Sequence, residues 1–443
     1  MDIEGVGPGD SRYDTLRAGF NLAVTHEPAL IVEARSADDV AAAVAAATGE
    51  RRPVGVMNTG HGPSVPADGA VLIRTGGLSG VQVDPGRRVA RVEAGACWRD
   101  VIAAAAPYGL APLNGSSPDV GVAGYTLGGG VGLLGRRFGF AADHVHWMDV
   151  VTADGRLQRV DADTDPDLFW ALRGAGANFG VVTAMEIALF PVATLYGGEL
   201  CFGPEHSDDV LQAYLAWACT APETMASSLL LLRYPDDPAV PERLRGQHVT
   251  HLRLADSGDD AEAGRTLVDE LRAAGPRLVD TVRPMPYADV GTIHHDPTGT
   301  PVAAFDRNVL LRDLGGDAAA VITKLAGPDA DAPFLVELRA WGGALARQPA
   351  VPNAVGGRDA AFSLLAIAGP PAEDRAARDR LLAAMEPWST GGSYLNFSGV
   401  EHATTLAARH YRPDDLTRLR ALKDRYDPGR TFSVTFPLDA AGG

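Results

Sequence analysis

Three cysteines in 443 residues, Cys97, Cys201 and Cys219, are too few and too scattered for a disulfide framework. No CxxC pair exists to hold a thiolate zinc site. Also lacking is a run of about 18 apolar residues that could span a bilayer, so no membrane partner is expected. Basic residues are scarce: 39 Lys and Arg against 56 Asp and Glu give a net charge of −17, which argues against nucleic acid and anionic membranes. Met-Asp-Ile-Glu-Gly at the start has no basic segment leading into an apolar one. No secretory signal is therefore visible, and a reducing cytoplasm is the expected location.

The common catalytic signatures are missing as well. There is no Gly-Lys-Ser/Thr, no GxSxG and no HExxH. Gly174-Ala-Gly-Ala-Asn-Phe-Gly180 is one residue too long for a dinucleotide fingerprint and precedes a strand, which excludes a Rossmann unit. The pairs His144/His146, His248/His251 and His294/His295 have no carboxylate or thiolate at a supporting spacing, so no metal site is expected.

What is present is glycine in three clusters. Val54-Gly-Val-Met-Asn-Thr-Gly-His-Gly-Pro63 reads as the end of a buried strand followed by a tight loop with His61 between two glycines. Residues 114–132 are the most glycine-dense part of the chain, and residues 174–180 form a third loop. A ligand running along so much bare backbone is long and carries phosphates, as an extended dinucleotide does. A set of tight turns in a β-rich domain is the competing explanation.

Around these loops the pattern is that of a soluble globular protein, 46% apolar and 21% charged, long enough for two domains. Strand 30–34, a helix capped by Ser36 with Asp39 three residues on, and strand 53–57 lead into the first loop. Strands are expected at 71–74, 80–83, 88–93, 145–152, 156–160 and 180–190, with helices at 98–108 and 165–173. From about residue 196, helices at 205–219, 259–274 and 373–386 alternate with strands at 228–234, 248–254, 305–312, 334–340 and 362–368. This predicts a sheet with helices on one face. A helix at 414–425 and a short strand at 431–436 close the chain.

The motifs taken together resemble the FAD-linked oxidases of the vanillyl-alcohol oxidase (PCMH-type) fold, and within them the bacterial branch of the berberine-bridge-enzyme-like family. They are Asn58-Thr-Gly-His-Gly62, Ser117-Pro-Asp-Val-Gly-Val-Ala-Gly-Tyr-Thr-Leu-Gly-Gly-Gly-Val-Gly132, Arg136-Arg-Phe-Gly139 with Asp143, and Asp167-Leu-Phe-Trp-Ala-Leu-Arg-Gly174 running into Asn178-Phe-Gly-Val-Val-Thr183. Glu337-Leu-Arg-Ala-Trp-Gly-Gly-Ala344, Tyr394-Leu-Asn-Phe397 and Leu419-Arg-Ala-Leu-Lys-Asp-Arg-Tyr-Asp-Pro428 follow in the family's order and extend the likeness over nearly the whole chain.

The resemblance implies an α+β protein: a split FAD-binding domain from residues 1–195 with a returning C-terminal segment 400–443, and a substrate domain, 196–399, built as an antiparallel sheet covered by helices. It implies that Asn58, Thr59, Gly60, His61, Gly62, Ser117, Val120, Gly121, Val122, Gly124, Gly128, Gly129, Gly180, Val182, Tyr394 and Asn396 bind FAD. His61 matches the histidine bonded to the flavin 8α-methyl. Where many members carry a second link from cysteine this chain has Ser117, so a single attachment is expected. Ser433-Val-Thr-Phe436 stands where relatives carry an asparagine near the flavin. Val120 matches the position whose small side chain admits O2.

The implied activity is that of an oxidase taking hydride from an alcohol, amine or secondary-metabolite carbon and passing electrons to O2. A redox-neutral cyclase or lyase using FAD structurally is the alternative, and a non-catalytic binder a third possibility. Tyr394 is the candidate base, Arg339 the cation that would lower its pKa, and Tyr125 a flavin contact. His294, His295, Trp341, Tyr287 and Phe305 are open candidates for the substrate cavity. The expected partners are a small-molecule substrate and O2, in a monomer or homodimer.

Overall fold

Ser36 accepts the Asp39 amide while the Asp39 carboxylate accepts the Ser36 amide, a reciprocal cap that starts the helix Ala37–Gly49 where the sequence places it. In the computed structural model, which describes residues 4–62, 65–399 and 407–439, that helix joins two strands of a small parallel sheet. Leu30–Glu33 and Val54–Met57 both pair with Val71–Arg74, which lies between them. Pro63, at the end of the first glycine stretch, and 400–406 of the C-terminal segment lie outside the described residues.

A second, five-stranded antiparallel sheet runs in the order Val81–Asp84, Val89–Glu93, Val181–Ala188, Val145–Val151, Leu157–Val160. Its central strand, Val181–Ala188, is buried over nearly all its length. Helix Trp98–Ala105 packs Trp98, Val101, Ile102 and Ala105 into the same core, as their helical spacing dictates.

The third sheet has eight strands and occupies the second half of the chain. Helices Ser207–Ala218, Ala261–Arg272, Gly316–Ala326 and Ala372–Ala384 share one core with the residues of a single sheet face, among them Leu229, Leu231, Leu252, Leu254, Val336, Leu338, Leu364 and Ala366. Side chains alternate across a strand, so Ser228, His251, Arg253, Glu337, Arg339 and Ser363 stand on the other face. Register aligns them: Ser228 lies opposite Arg253 on one side and Arg339 on the other, and Arg339 opposite Ser363. The expected one-sided sheet is observed, and its bare face is polar.

The structure differs from the sequence expectations in several places. Thr194–Phe202 is a full strand where the sequence reading places no element. A Cβ on Gly198 would sit 2.7 Å from the Thr281 backbone, and one on Gly197 2.8 Å from Leu254 O, so the glycines serve close strand packing. Helix Gly316–Ala326 was not foreseen; its Ala-rich sequence has a glycine at its N-cap, with no side-chain signal. Residues 431–436 do not form a strand: Val434 makes one parallel bridge to Gly55, and Thr431 accepts the Val54 amide at 2.7 Å. The C-terminal segment thus lies against the strand that delivers His61.

Candidate flavin and substrate site

The strand Val54–Met57 ends in the loop carrying Asn58, Thr59, Gly60 and His61. Gly60 has φ +73°, and a Cβ there would meet Gly19 Cα at 2.5 Å, so only glycine allows the close crossing of segment 19–21. Phe20 and Asn21 donate their amides to Thr59 O and Gly60 O at 2.8 and 3.0 Å. That crossing lays Phe20 flat against the His61 imidazole, ring centroids 4.0 Å apart and 14° from parallel. His61 Nδ1 lies 2.8 Å from Thr59 Oγ1, while Nε2 is buried without a hydrogen-bond partner among the described residues. Burial draws the imidazole down to about 4, with Asp119 acting in the opposite direction, so His61 is neutral at pH 7.

The second glycine tract comes up beside this loop. Asn58 donates to Gly95 O at 3.0 Å, and its amide occupies the space a Gly121 side chain would need. Val122 donates to Ala96 O, and the helix Val122–Leu127 starts at Gly121 with no side-chain cap. Gly62 and Gly124 face open space where a Cβ would meet nothing within 4 Å. Ser117 is buried and accepts the Asp119 amide at 3.3 Å. Val120 is half-buried against the core.

Cys97, remote from Ser117 in sequence, lies across an isolated bridge from Gly121, but it is buried and burial raises its thiol pKa. Gly180 has φ +156°, and its missing Cβ makes room for Val150 and Val151; Val182, next but one along the same strand, is buried in the core.

Further along the tract, glycines wrap around three side chains. A Cβ on Gly128 would fall 1.7 Å from Asn396 Oδ1, and one on Gly129 3.3 Å from the Tyr394 hydroxyl. A Cβ on Gly130 would fall 2.4 Å from the Tyr125 ring. Asn396 donates to Tyr125 O at 2.8 Å and to the Tyr394 hydroxyl at 3.3 Å. The amides of Gly130 and Val131 also reach the Tyr394 oxygen. Burial nevertheless raises the Tyr394 phenol well above its ordinary value, against those amides and Arg339. The Tyr125 phenol is raised too, and its hydroxyl has no partner among the described residues.

Arg339 stands on the bare face of the large sheet and pairs with Glu337 at 2.9 Å rather than with a phenol. Burial pushes the Glu337 carboxyl up, but Arg339, His294 and Arg253 outweigh it and hold the group down at about 2. Of the open candidates, His294 is buried beside this cluster, and Trp341 packs edge-on against Tyr394. Tyr287 donates to Pro112 O and Asn114 Oδ1, anchoring the glycine tract, while Phe305 stacks under Arg375. His295 is 60% exposed.

His251, for which sequence spacing offered no partner, receives two from the neighbouring strand: Glu199 Oε2 at 2.9 Å and Cys201 Sγ at 3.8 Å. Burial lifts Cys201 to about 12, so it stays a thiol. Phe20, Arg253 and Arg136 were not singled out in the sequence, and no local signal marks the first two. Arg136 stood in a quoted motif without a role.

Two strips of bare backbone meeting at a neutral imidazole suit a long phosphate-bearing cofactor better than a metal. Three buried polar atoms in them, His61 Nε2, Thr126 Oγ1 and Tyr125 Oη, lack partners among the described residues. Comparison with known proteins agrees. Residues 28–161 match the FAD binding domain family. (R)-6-Hydroxynicotine oxidase of Paenarthrobacter nicotinovorans is 28% identical over 100% of this chain and 98% of its own. Among solved structures, berberine-bridge-enzyme-like 1 of Physcomitrella patens superposes with TM-score 0.84 at 19% identity, covering 99% of this chain and 97% of its own. Glucooligosaccharide oxidase of Acremonium strictum, whose FAD is 6-S-cysteinyl and 8α-N1-histidyl, gives 0.84 at 20% identity over 99% and 98%.

The fold and the matched domain define a flavoprotein of the PCMH type. The chain is an FAD-dependent oxidoreductase with the vanillyl-alcohol oxidase fold, and its residues 28–161 form the matched FAD-binding domain.

Proposed function

We propose that the protein is an oxidase that carries its FAD on a single covalent bond to His61 and oxidises a C–H bond of a small-molecule amine or alcohol, with O2 as acceptor. The observation that carries the tether is the His61 ring itself: neutral, held flat by Phe20, and leaving one buried nitrogen without a partner in the flavin loop. Ser117 has no thiolate to offer, so one bond is assigned. Bound FAD supplies the hydride acceptor and the route of electrons to O2. The oxidases among the relatives favour this reading over a redox-neutral one. Val120 keeps the O2 approach uncrowded in this reading.

The chain's own residues orient the substrate and manage its proton. We assign the heteroatom proton to Tyr394, flanked by Arg339 and Tyr125. Its raised pKa keeps it protonated in the resting protein, so it first meets the substrate as a donor. To act as a base it must first give up its own proton to solvent, and the amides of Gly130 and Val131 are the groups that favour that phenolate. The remaining binding assignments, Asn58 to Gly62 and Gly121 to Gly129, rest on the glycine-rich backbone of those strips, where Gly62 and Gly124 have no described neighbour within 4 Å of a Cβ. A monomer or homodimer suffices, because every group invoked comes from one chain.

The test is acid precipitation of the purified protein. Yellow colour staying with the pellet, and moving to the supernatant in His61→Ala, is the expected result. Colour wholly in the wild-type supernatant refutes the tether, and failure of every amine or alcohol tried to bleach the flavin anaerobically refutes the oxidase.

A further inference from the structure

The polar face of the large sheet gathers charged side chains, with Glu199 opposite Arg253 and Glu337 beside Arg339. Arg253 and Arg339 flank Ser228 in one row across three paired strands. With Arg136 and His294 they line a small, partly open cavity whose other wall is the glycine tract at Gly132. Each of the four brings a buried nitrogen with no partner among the described residues: Nε of Arg136, Arg253 and Arg339, and Nδ1 of His294. His294 is only 4% exposed.

Among the described residues no carboxylate lines this cavity. Glu337 accepts from Arg339 at 2.9 and 3.2 Å and stands 3.6 Å from Arg253 and 3.7 Å from His294. Arg253 also donates to His294 O at 3.0 Å, and Asp296 acts on Arg339 as a further anion. Arg136 spends its other nitrogens on the carbonyls of Trp341 and Ala221. Three guanidinium groups and an imidazole line one space, each with a buried nitrogen lacking a partner among the described residues, and together they offer a donor set for an oxyanion. Main-chain carbonyls and neutral hydroxyls would use the hydrogen bonds but not the charge.

We propose that this cavity is an oxyanion subsite that takes the carboxylate of the substrate. The proposal rests on the oxidase reading for the identity of its ligand as substrate, and on separate geometry for the subsite. The substrate class narrows to small amines or alcohols bearing a carboxylate. Arg253 and Arg339 set that specificity, Glu337 fixes the Arg339 fork, and His294 adds a neutral donor. The same oxyanion chemistry could be presented by a deprotonated flavin ring, and the experiment separates the two sources.

Benzoate and its neutral isostere benzamide are titrated into the FAD-loaded protein by calorimetry. Saturable benzoate binding, at least tenfold tighter than benzamide, is expected. Arg253→Met should weaken benzoate about tenfold or more and leave benzamide unchanged, with Arg253→Lys in between. Equal binding of the two probes, or no benzoate binding, overturns the proposal. So does a flavin reduction potential that falls in Arg253→Met while benzoate affinity stays the same, because that assigns the charge to the flavin. The wild-type comparison of the two probes remains decisive if the variant fails to fold. Calorimetry reads neither flavin bleaching nor peroxide formation, so the subsite and the oxidase reading can fail separately.

Discussion

Lys423 is the residue on which the C-terminal return depends, and its removal gives a quantitative test of how that return holds the flavin loops. Its ammonium is 4% exposed and donates to Asn178 O at 2.6 Å, Asp427 Oδ2 at 2.7 Å and Phe432 O at 2.8 Å. One cation therefore ties the third glycine loop to the segment that runs beside the His61 strand. Lys423→Met keeps the apolar stem but strands the Asp427 carboxylate, which is 0% exposed. Removing one partner of a buried pair costs about 3–5 kcal/mol.

The low end, about 3 kcal/mol, is expected here, because Asp427 still accepts the amides of Thr431 and Phe432 at 2.7 and 2.9 Å. Adding Asp427→Asn removes the stranded charge, so the double variant should recover about 1–2 kcal/mol relative to the single one. Urea denaturation of the wild type, both single variants and the double variant, with flavin retention measured alongside, checks both figures. A Lys423→Met cost below about 1 kcal/mol, or a double variant as destabilised as the sum of the singles, would refute the reasoning.

Phe20→Ala should lower the fraction of covalently bound flavin by freeing the His61 ring, since the stacked contact contributes about 0.5–1.5 kcal/mol; acid precipitation measures it, and an unchanged fraction removes Phe20 from the site. Gly128→Ala should push Asn396 off its contacts with Tyr125 and Tyr394 and cut kcat about tenfold with FAD still bound, as steady-state kinetics and absorbance will show. His410 is buried, which draws it to about 4 from an ordinary 6.5. The unfolded chain then binds the extra proton between those values, so stability falls as pH drops through that window, by up to about 3 kcal/mol from this residue. His410→Gln should flatten the acid limb of the stability–pH curve, and an unchanged limb would discount the residue.

Much of the fold was legible because it is written in short-range signals. The Ser36–Asp39 cap, the alternation in 334–340 and 362–368, and the helical spacing from Trp98 depend on neighbours a few residues apart. The three glycine clusters could be read as ligand-facing backbone for the same reason. Strand Thr194–Phe202 was hidden because its glycines answer to Thr281 and Leu254, residues distant in sequence.

The sequence by itself pointed to the chemical inventory: FAD as cofactor, His61 as the candidate tether, a serine at position 117 and a one-sided sheet in the second half. Only tertiary structure decided which side chains share a site. Phe20 reaches His61 because Gly60 and Gly19 let two backbones cross, and Glu199 and Cys201 reach His251 by strand pairing. Arg253, Ser228 and Arg339 form one row because antiparallel register aligns three distant segments. Sequence periodicity assigns a residue to a face. Which residues meet on that face is set by register, and register is fixed by long-range packing of the whole sheet.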